Sequence, residues 1–302
     1  MVMVRLMGGL GNQMFQYAVA LRLATKRKTV LRLDLTFLLD RAPRGNFVFR
    51  DFDLAIFNVP EKAASAREVR RFRRNAEPIG RSLREWVADK LVKKRFFLEE
   101  SLRFDPRVLD LPRETYLEGY FQNQAYFADI EQVVRSRFRL APNEAELPAA
   151  TRGLAEEIRA GDGICLHVRR GDYVTNPESN RILGVCSLGY YLRGLEKLNT
   201  LGATGKVFVF SDDEAWCHEN FGGMSGATVV EHSHAGPRSS THLWLMTLCR
   251  HFVIPNSSFG WWAAWLSQSP KKIVVRPSRW FQKRGWWDVD VCPPEWIGVS
   301  NI

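Results

Sequence analysis

The sequence predicts an α/β protein built on parallel sheets and divided into two halves with a cleft between them. Two observations carry this. Short β-branched or aromatic runs bounded by turn residues recur at 2–7, 29–34, 163–168, 206–211, 252–255 and 272–276, and most of them lead into segments with helical spacing. Strands that feed helices in this way favour a parallel sheet covered on both faces. The stretch Ala141-Pro142-Asn143-Glu144-Ala145-Glu146-Leu147-Pro148-Ala149-Ala150, near the midpoint, has the Pro, Ala and acid content of a linker. It sets expected domains of residues 1–145 and 146–302.

Taken in order, Val2 to Met7 is the first strand, and Met14, Ala18 and Leu21, at i, i+4 and i+7, give the helix after it an apolar stripe. The run 29–34 is the second strand. In the second half the runs at 163–168, 206–211, 252–255 and 272–276 are strands. Leu243, Met246, Leu248 and Cys249 mark one helix there, and Trp261, Trp262, Trp265 and Leu266 mark another. These tryptophans share one helical face, which assigns them to the core rather than to a stacking platform.

At 302 residues, 45% hydrophobic and 25% charged, with mean hydropathy -0.23, the chain has the balance of a soluble globular protein with a sizeable core. The apolar start is too short for a signal peptide, and no stretch approaches the ~18 uninterrupted apolar residues of a bilayer span. Cysteines at 165, 186, 217, 249 and 292 include no C-x-x-C pair, against a disulfide framework or a zinc ribbon. A cytoplasmic location is the expectation.

The net charge of +10 points to an anionic partner. From Glu61 to Arg95, twelve Lys or Arg stand against five Asp or Glu. Such a run is ordinarily a solvated face. The sharper reading is a peripheral contact with an anionic membrane, at its inner face, or with a lipid diphosphate.

Four constellations sit at strand ends. Gly8-Gly9-Leu10-Gly11-Asn12-Gln13 lies between the first strand and its helix, where glycines let backbone N–H groups approach an anion and the first-turn donors are unpaired. The bland reading is a tight turn needing positive φ. Gly9-x-Gly11 with Asp34 at the next strand end also imitates a dinucleotide fingerprint, but Met14 stands where its third glycine should be.

His167-Val168-Arg169-Arg170-Gly171-Asp172-Tyr173 follows the strand at 163–168, and two consecutive guanidinium groups there call for something negative between them. The alternative is a structural pair of Arg170 with Asp172. Phe208-Val209-Phe210-Ser211-Asp212-Asp213 ends in carboxylates that could accept from the N1–H and 2-amino group of guanine, or cap the next helix. Pro255-Asn256-Ser257-Ser258-Phe259-Gly260-Trp261-Trp262 opens a helix with hydroxyls and free amides, a second anion site.

As a set these describe a site for a nucleoside-diphosphate donor. With Met14-Phe15-Gln16-Tyr17-Ala18, Gly119-Tyr120-Phe121-Gln122 and Leu245-Met246, the sequence resembles glycosyltransferase family 11, the α-1,2-fucosyltransferases, from the first strand to about Trp280. The resemblance implies a GT-B-like fold of two Rossmann-like lobes facing a cleft, with GDP-fucose as donor substrate and no cofactor or metal. It implies inverting transfer to the 2-hydroxyl of a terminal β-galactoside, an acceptor glycan that can be lipid-linked. In the wider group sharing H-x-R-x-G-D, Arg169 would hold the β-phosphate, His167 and Asp212 or Asp213 the guanine side, and Ser257 and Ser258 further phosphate oxygens. Arg170, Asn256 and Phe259 belong to the same donor set, and Gly9, Gly11 and Asn12 would reach the donor from the N-terminal lobe.

Asp172 is the acid nearest the arginines and the candidate general base; Asp34, Asp53 and Glu118 are unranked alternatives. Where the family usually carries an acid before Leu243, this chain has Thr241-His242. Asp51-Phe52-Asp53 and Asp288-Val289-Asp290 match the D-x-D pattern of metal-dependent sugar transferases, although one pair offers a hard cation few oxygens. Other readings are a fucosyltransferase of another linkage, a nicotinamide oxidoreductase, or a basic nucleic-acid-binding protein, the last without any recognised nucleic-acid motif.

Overall fold

The computed structural model describes the chain except residues 44–47, 74–95, 287, 288, 290 and 302, with Arg73 described by its backbone alone. The chain divides into two compact units, Met1–Arg137 and Phe138–Ile302. The boundary drawn from composition at 145/146 lies inside the second unit. Phe138 packs edge-on against Trp262 at 5.1 Å, which ties that stretch to the second core. Within the expected linker, Glu144–Glu146 forms a 3-10 turn and Ala149 begins a helix.

The first unit holds strands β1 (Val2–Arg5), β2 (Leu31–Asp34), β3 (Phe96–Leu98) and β4 (Thr115–Glu118), all parallel, in the order β2-β1-β4-β3. Central β1 buries Val2, Met3 and Val4 completely, so it reads as an unbroken apolar run. Helix α1 (Leu10–Lys26) follows it and is buried on almost every side, including Gln13 and Gln16. Helices α2 (Thr36–Leu39), α3 (Ala66–Arg73) and α4 (Glu131–Arg137) complete the described helical part.

The second unit runs α5 (Ala149–Ala160), β5 (Ile164–Val168), α6 (Gly171–Thr175), α7 (Pro177–Leu183), α8 (Leu188–Thr200), β6 (Val207–Ser211), α9 (Glu214–Phe221) and β7 (Ala227–Val229). It continues with α10 (Ser240–Leu248), β8 (His251–Val253), α11 (Ser258–Leu266), β9 (Val274–Pro277) and β10 (Ile297–Val299). Its six strands are parallel in the order β10-β9-β8-β5-β6-β7. Counted from β5, this is the 3-2-1-4-5-6 order of doubly wound nucleotide-binding sheets, and the chain reverses its direction of travel between β5 and β8. In such sheets a crevice opens at that reversal, beyond the carboxyl ends of the strands.

All six strand runs expected from sequence are present. Four strands had no recognisable pattern: β3, β7 and β10 lie at sheet edges with three residues each, none of them fully buried. Thr115–Glu118 is an inner strand, but it offers only Tyr116-Leu117 as an apolar pair. The helix α11 departs from the expected single face. Every residue from Gly260 to Leu266 is buried, with Trp261 and Trp262 wholly inaccessible, and Trp261 Nε1 donates to the Val291 carbonyl at 3.0 Å. The tryptophans are core, as expected, but the core surrounds them. Among the described residues no helix is long and apolar enough to cross a membrane.

Because Trp262 is fully buried against Trp261, Trp265 and Phe138, Trp262→Ala leaves a cavity that rigid neighbours cannot fill. The second unit should lose about 3–5 kcal/mol of stability by denaturant unfolding. A loss under about 1 kcal/mol would mean that this contact does not hold the unit together.

Candidate functional site

Strand register builds the first part of the site. β5 and β6 pair Ile164 with Val207 through to Val168 with Ser211. One step further along the same ladder brings Arg169 beside Asp212, and a second brings Arg170 beside Asp213. The ion pairs follow this order. Arg169 meets Asp212 at 2.7 Å and Arg170 Nε meets Asp213 at 2.9 Å. Arg169 also pairs with Asp172 in the first turn of α6, so the carboxylate expected on Arg170 is on its neighbour. The Arg170 backbone N–H donates to Asp212 at 2.9 Å.

Aromatic faces complete the arginine loop. The Arg170 guanidinium lies 4.4 Å from the Trp216 ring centre and that of Arg169 lies 5.3 Å from Tyr173. Burial works against the charge on Arg169, but Asp212, Tyr173 and Asp172 outweigh it and raise its pKa above the ordinary arginine value. Burial likewise opposes ionisation of Asp213, and the Arg170 bond together with the Trp216 N–H holds its carboxyl below the usual range. The crowding of two guanidinium groups is therefore relieved by three carboxylates of the chain itself. Asp213 also caps α9 through the Trp216 N–H at 3.2 Å, the capping role foreseen for one of the pair. With their oxygens engaged in this way, Asp212 and Asp213 support the arginine loop rather than standing free to read guanine.

The second part lies across the switch point, after β8. Ser257 is the N-cap of α11 but its hydroxyl makes no capping bond, so the first-turn amides of Ser258, Phe259 and Gly260 lack the usual side-chain acceptor. His167 lies beside that turn, its ring 5.8 Å from Phe259. Burial first, then the charge of Arg169 and the ring of His242, lower its pKa to about 3, so it is a neutral imidazole at physiological pH. Its buried Nδ1 has no partner among the described residues, the one orphaned polar atom in this part of the site.

Asn256 was expected to touch the donor. Instead it is 2% exposed, and its amide donates to the Leu183 carbonyl at 2.7 Å and the Trp280 carbonyl at 3.1 Å, which makes it a brace for the loop. Tyr173 ties the two parts together, its hydroxyl donating to the Asn256 carbonyl at 3.0 Å. His242, standing where an acid was expected, is buried and bonds the Glu231 carbonyl through Nε2 at 3.1 Å.

The glycine loop belongs to the first unit. Gly8 has φ +72, which meets the tight-turn reading, while Gly9 is an extended N-cap of α1. Gln13 fastens the loop: its amide donates to the Gly8 and Asp51 carbonyls at 2.8 Å each, and its oxygen accepts from the Asp53 N–H at 3.0 Å. Asn12 accepts from Gln122 at 2.7 Å. Gly11 lies in the first turn of α1. Asp34 is wholly buried and accepts from the Thr36 N–H and the Tyr116 hydroxyl, a structural position that answers the dinucleotide and base readings alike. Glu118 pairs with Arg5 and Asp51 with Arg41.

Asp288 and Asp290 lie outside the described residues. Among those described, Glu214, His218 and Glu231 bring three potential ligand atoms within 4.8 Å of one another on the surface. Residues 74–95 of the basic stretch are likewise outside; within its described part Arg71 pairs with Glu114 at 3.3 Å. Sequence reasoning gave no role to Gln13 or Tyr173, although both stood inside quoted motifs, and nothing singled out Trp216.

Comparison with known proteins places this geometry. The profile of Glycosyl transferase family 11 matches residues 1–300. The chain belongs to this family. It is 31% identical over 99% of both chains to an α-1,2-colitosyltransferase of Escherichia coli, and 30% identical to the O-antigen biosynthesis glycosyltransferase WbnK of the same organism, over 91% of this chain and 93% of that one. A galactoside α-(1,2)-fucosyltransferase 2 of Oryctolagus cuniculus is 27% identical over 61% of this chain and 53% of its own length. Among solved structures, fucosyltransferase NodZ from Bradyrhizobium matches with TM-score 0.50 at 19% identity, over 91% of this chain and 94% of that one. At that identity the likeness concerns the fold, and it agrees with the GT-B-like class.

Gly260 is required by close approach: a Cβ there would overlap His167 Nδ1. The imidazole is walled in, so Gly260→Ala should cost about 1–3 kcal/mol and displace His167. A variant with unchanged melting temperature and unchanged ligand affinity would contradict this packing.

Proposed function

We propose that the chain transfers L-fucose from GDP-β-L-fucose, with inversion, to the 2-hydroxyl of a terminal β-galactoside. The observation that carries this reading is Arg169, fixed between Asp172 and Asp212 at the switch point of a nucleotide-binding sheet, in a chain of family 11. A guanidinium has five N–H donors, and two carboxylates do not exhaust them. As the bond from fucose to GDP breaks, negative charge grows on the β-phosphate, and an oriented arginine stabilises it without reorganising.

Around that charge the neutral His167, the first-turn amides of α11 and the Ser257 and Ser258 hydroxyls supply hydrogen bonds. Asp172, considered above as the base, is read here as orienting Arg169. Departure of GDP ahead of attack makes the fucosyl carbon cation-like and lessens the demand for a strong base. No step requires a metal. Gly9, Gly11 and Asn12 keep their assignment to the donor from the first unit.

The end-to-end similarity to a colitosyltransferase favours a second reading, with colitose, which lacks the 3-hydroxyl of fucose, as the sugar transferred. Contact of the basic stretch with an anionic membrane remains a separate proposal; flotation with anionic liposomes at low salt supports it, and indifference to lipid charge removes it.

Incubation with GDP-fucose and lactose, with the linkage read by NMR, should give Fucα1-2Gal in the presence of excess chelator. GDP-colitose alone being used would select the second reading, and full loss in chelator would favour a metal-dependent route. Arg169→Ala should fold normally yet lose about two to four kcal/mol of transition-state stabilisation. Retention of more than about a tenth of the wild-type rate would remove Arg169 from this role.

A further inference from the structure

Glu99, at the end of β3, plays no part in the donor site described above. Leu98 pairs with Glu118 in the parallel ladder, and the Glu99 N–H continues it by donating to the Glu118 carbonyl at 2.8 Å. From there its side chain reaches over the turn that follows β4. One oxygen accepts from the Tyr120 N–H at 2.6 Å and the other from the Phe121 N–H at 3.0 Å. Gly119 is glycine because a Cβ would overlap Glu99.

The turn needs such a hold. Phe121 is a non-glycine residue at φ +51, a left-handed conformation that an L-residue keeps only when its surroundings enforce it. Its ring is fully buried, edge-on to Tyr126 at 5.7 Å. The next residue, Gln122, donates to Asn12 in the first turn of α1, and Asn12 in turn lies beneath Gly8, where a Cβ would come 2.5 Å from its Nδ2. A continuous chain of contacts thus runs from the Glu99 carboxylate to the glycine loop.

We propose that Glu99 is a positioning residue: its two carboxylate oxygens clamp the Tyr120–Phe121 turn and, through Gln122 and Asn12, set the glycine loop. The inference rests on the transferase reading only for its effect on turnover. The clamp itself is a property of the first unit.

The chemistry makes it sensitive to protons. Ionised, the Glu99 carboxyl accepts at both oxygens at the cost of a buried charge; protonated, it sheds that charge, its carbonyl oxygen accepting fully and its hydroxyl oxygen weakly. Burial raises the Glu99 pKa to about 7, against the opposing pull of the two N–H bonds. The groups around it are the Tyr120 and Tyr126 phenols, both raised in pKa chiefly by burial, and Glu118 on β4, which Arg5 pairs. Glu100 adjoins it in sequence. The closed clamp therefore holds its proton more tightly than an exposed glutamate would, and opening becomes easier as pH rises through about 7. Stability has the same sign: with its folded pKa above the ordinary 4.5, Glu99 contributes most below 4.5, and this contribution is lost as pH rises through 7.

The test is amide hydrogen exchange at Tyr120 and Phe121, corrected for intrinsic rates, together with the pH–rate profile of the wild type and Glu99→Gln. In the wild type, protection of these two amides should fall about tenfold from about pH 5.5 to about pH 8.5. In Glu99→Gln it should be low and independent of pH. The wild-type kcat/KM should show a basic limb within about one unit of 7. The variant should lose that limb and fall about tenfold at about pH 6. Protection that ignores pH in the wild type, or a limb that survives in Glu99→Gln, would overturn the proposal. If neither sugar donor is used, the transferase reading fails while the exchange result still decides the clamp.

Discussion

Everything in the second unit that bears on chemistry depends on one electrostatic arrangement, two adjacent guanidinium groups held by three carboxylates where β5 and β6 end. Parallel pairing makes it. With Val168 opposite Ser211, the next two steps set Arg169 against Asp212 and Arg170 against Asp213, and Asp172 closes on Arg169 from the following turn. A slip of one residue in this register would turn the alternating side chains to opposite faces and separate the charges. The arrangement presents rigid cations to the crevice without leaving them unpaired, at the point where a 3-2-1-4-5-6 sheet opens.

Buried polar groups do similar work around it. Asn256 bonds carbonyls of two loops, and Tyr173 joins the arginine loop to the loop after β8. In the first unit Gln13 spends both ends of its amide on the glycine loop and on residues 51–54. Such groups are costly to bury unless satisfied, and each is satisfied by backbone, so they fix loops that lack regular structure of their own. His167 is an exception: a neutral buried ring beside the first turn of α11, whose Nδ1 has no partner among the described residues.

Much of this was legible in the residues. Long apolar runs announced the inner strands, because a strand buried on both faces has no alternation to hide it. The edge strands β3, β7 and β10 were silent, since three-residue segments such as Ala227–Val229 carry neither period nor length, whereas the longer edge strand β2 was legible. The four motifs were placed correctly at strand ends, but the partner of each charge was not legible, because pairing depends on register between distant strands. Asp172 was thus matched with the wrong arginine, Asp212 and Asp213 were offered to guanine or to a helix cap without their arginine partners, and Asn256 was read as a ligand-facing amide. Glu99 was invisible for the same reason. Its significance comes from a turn 21 and 22 residues away that the β3–β4 ladder brings beside it.

Calorimetric titration of GDP into the wild-type chain and into Arg169→Lys tests the arginine arrangement most directly. Lysine keeps the charge but loses the planar fork that can hold Asp172, Asp212 and a phosphate together. Wild-type binding weakened about tenfold or more in Arg169→Lys, with the fold intact by circular dichroism, is the result expected. Equal affinity in both, or no GDP binding by the wild type, would contradict it.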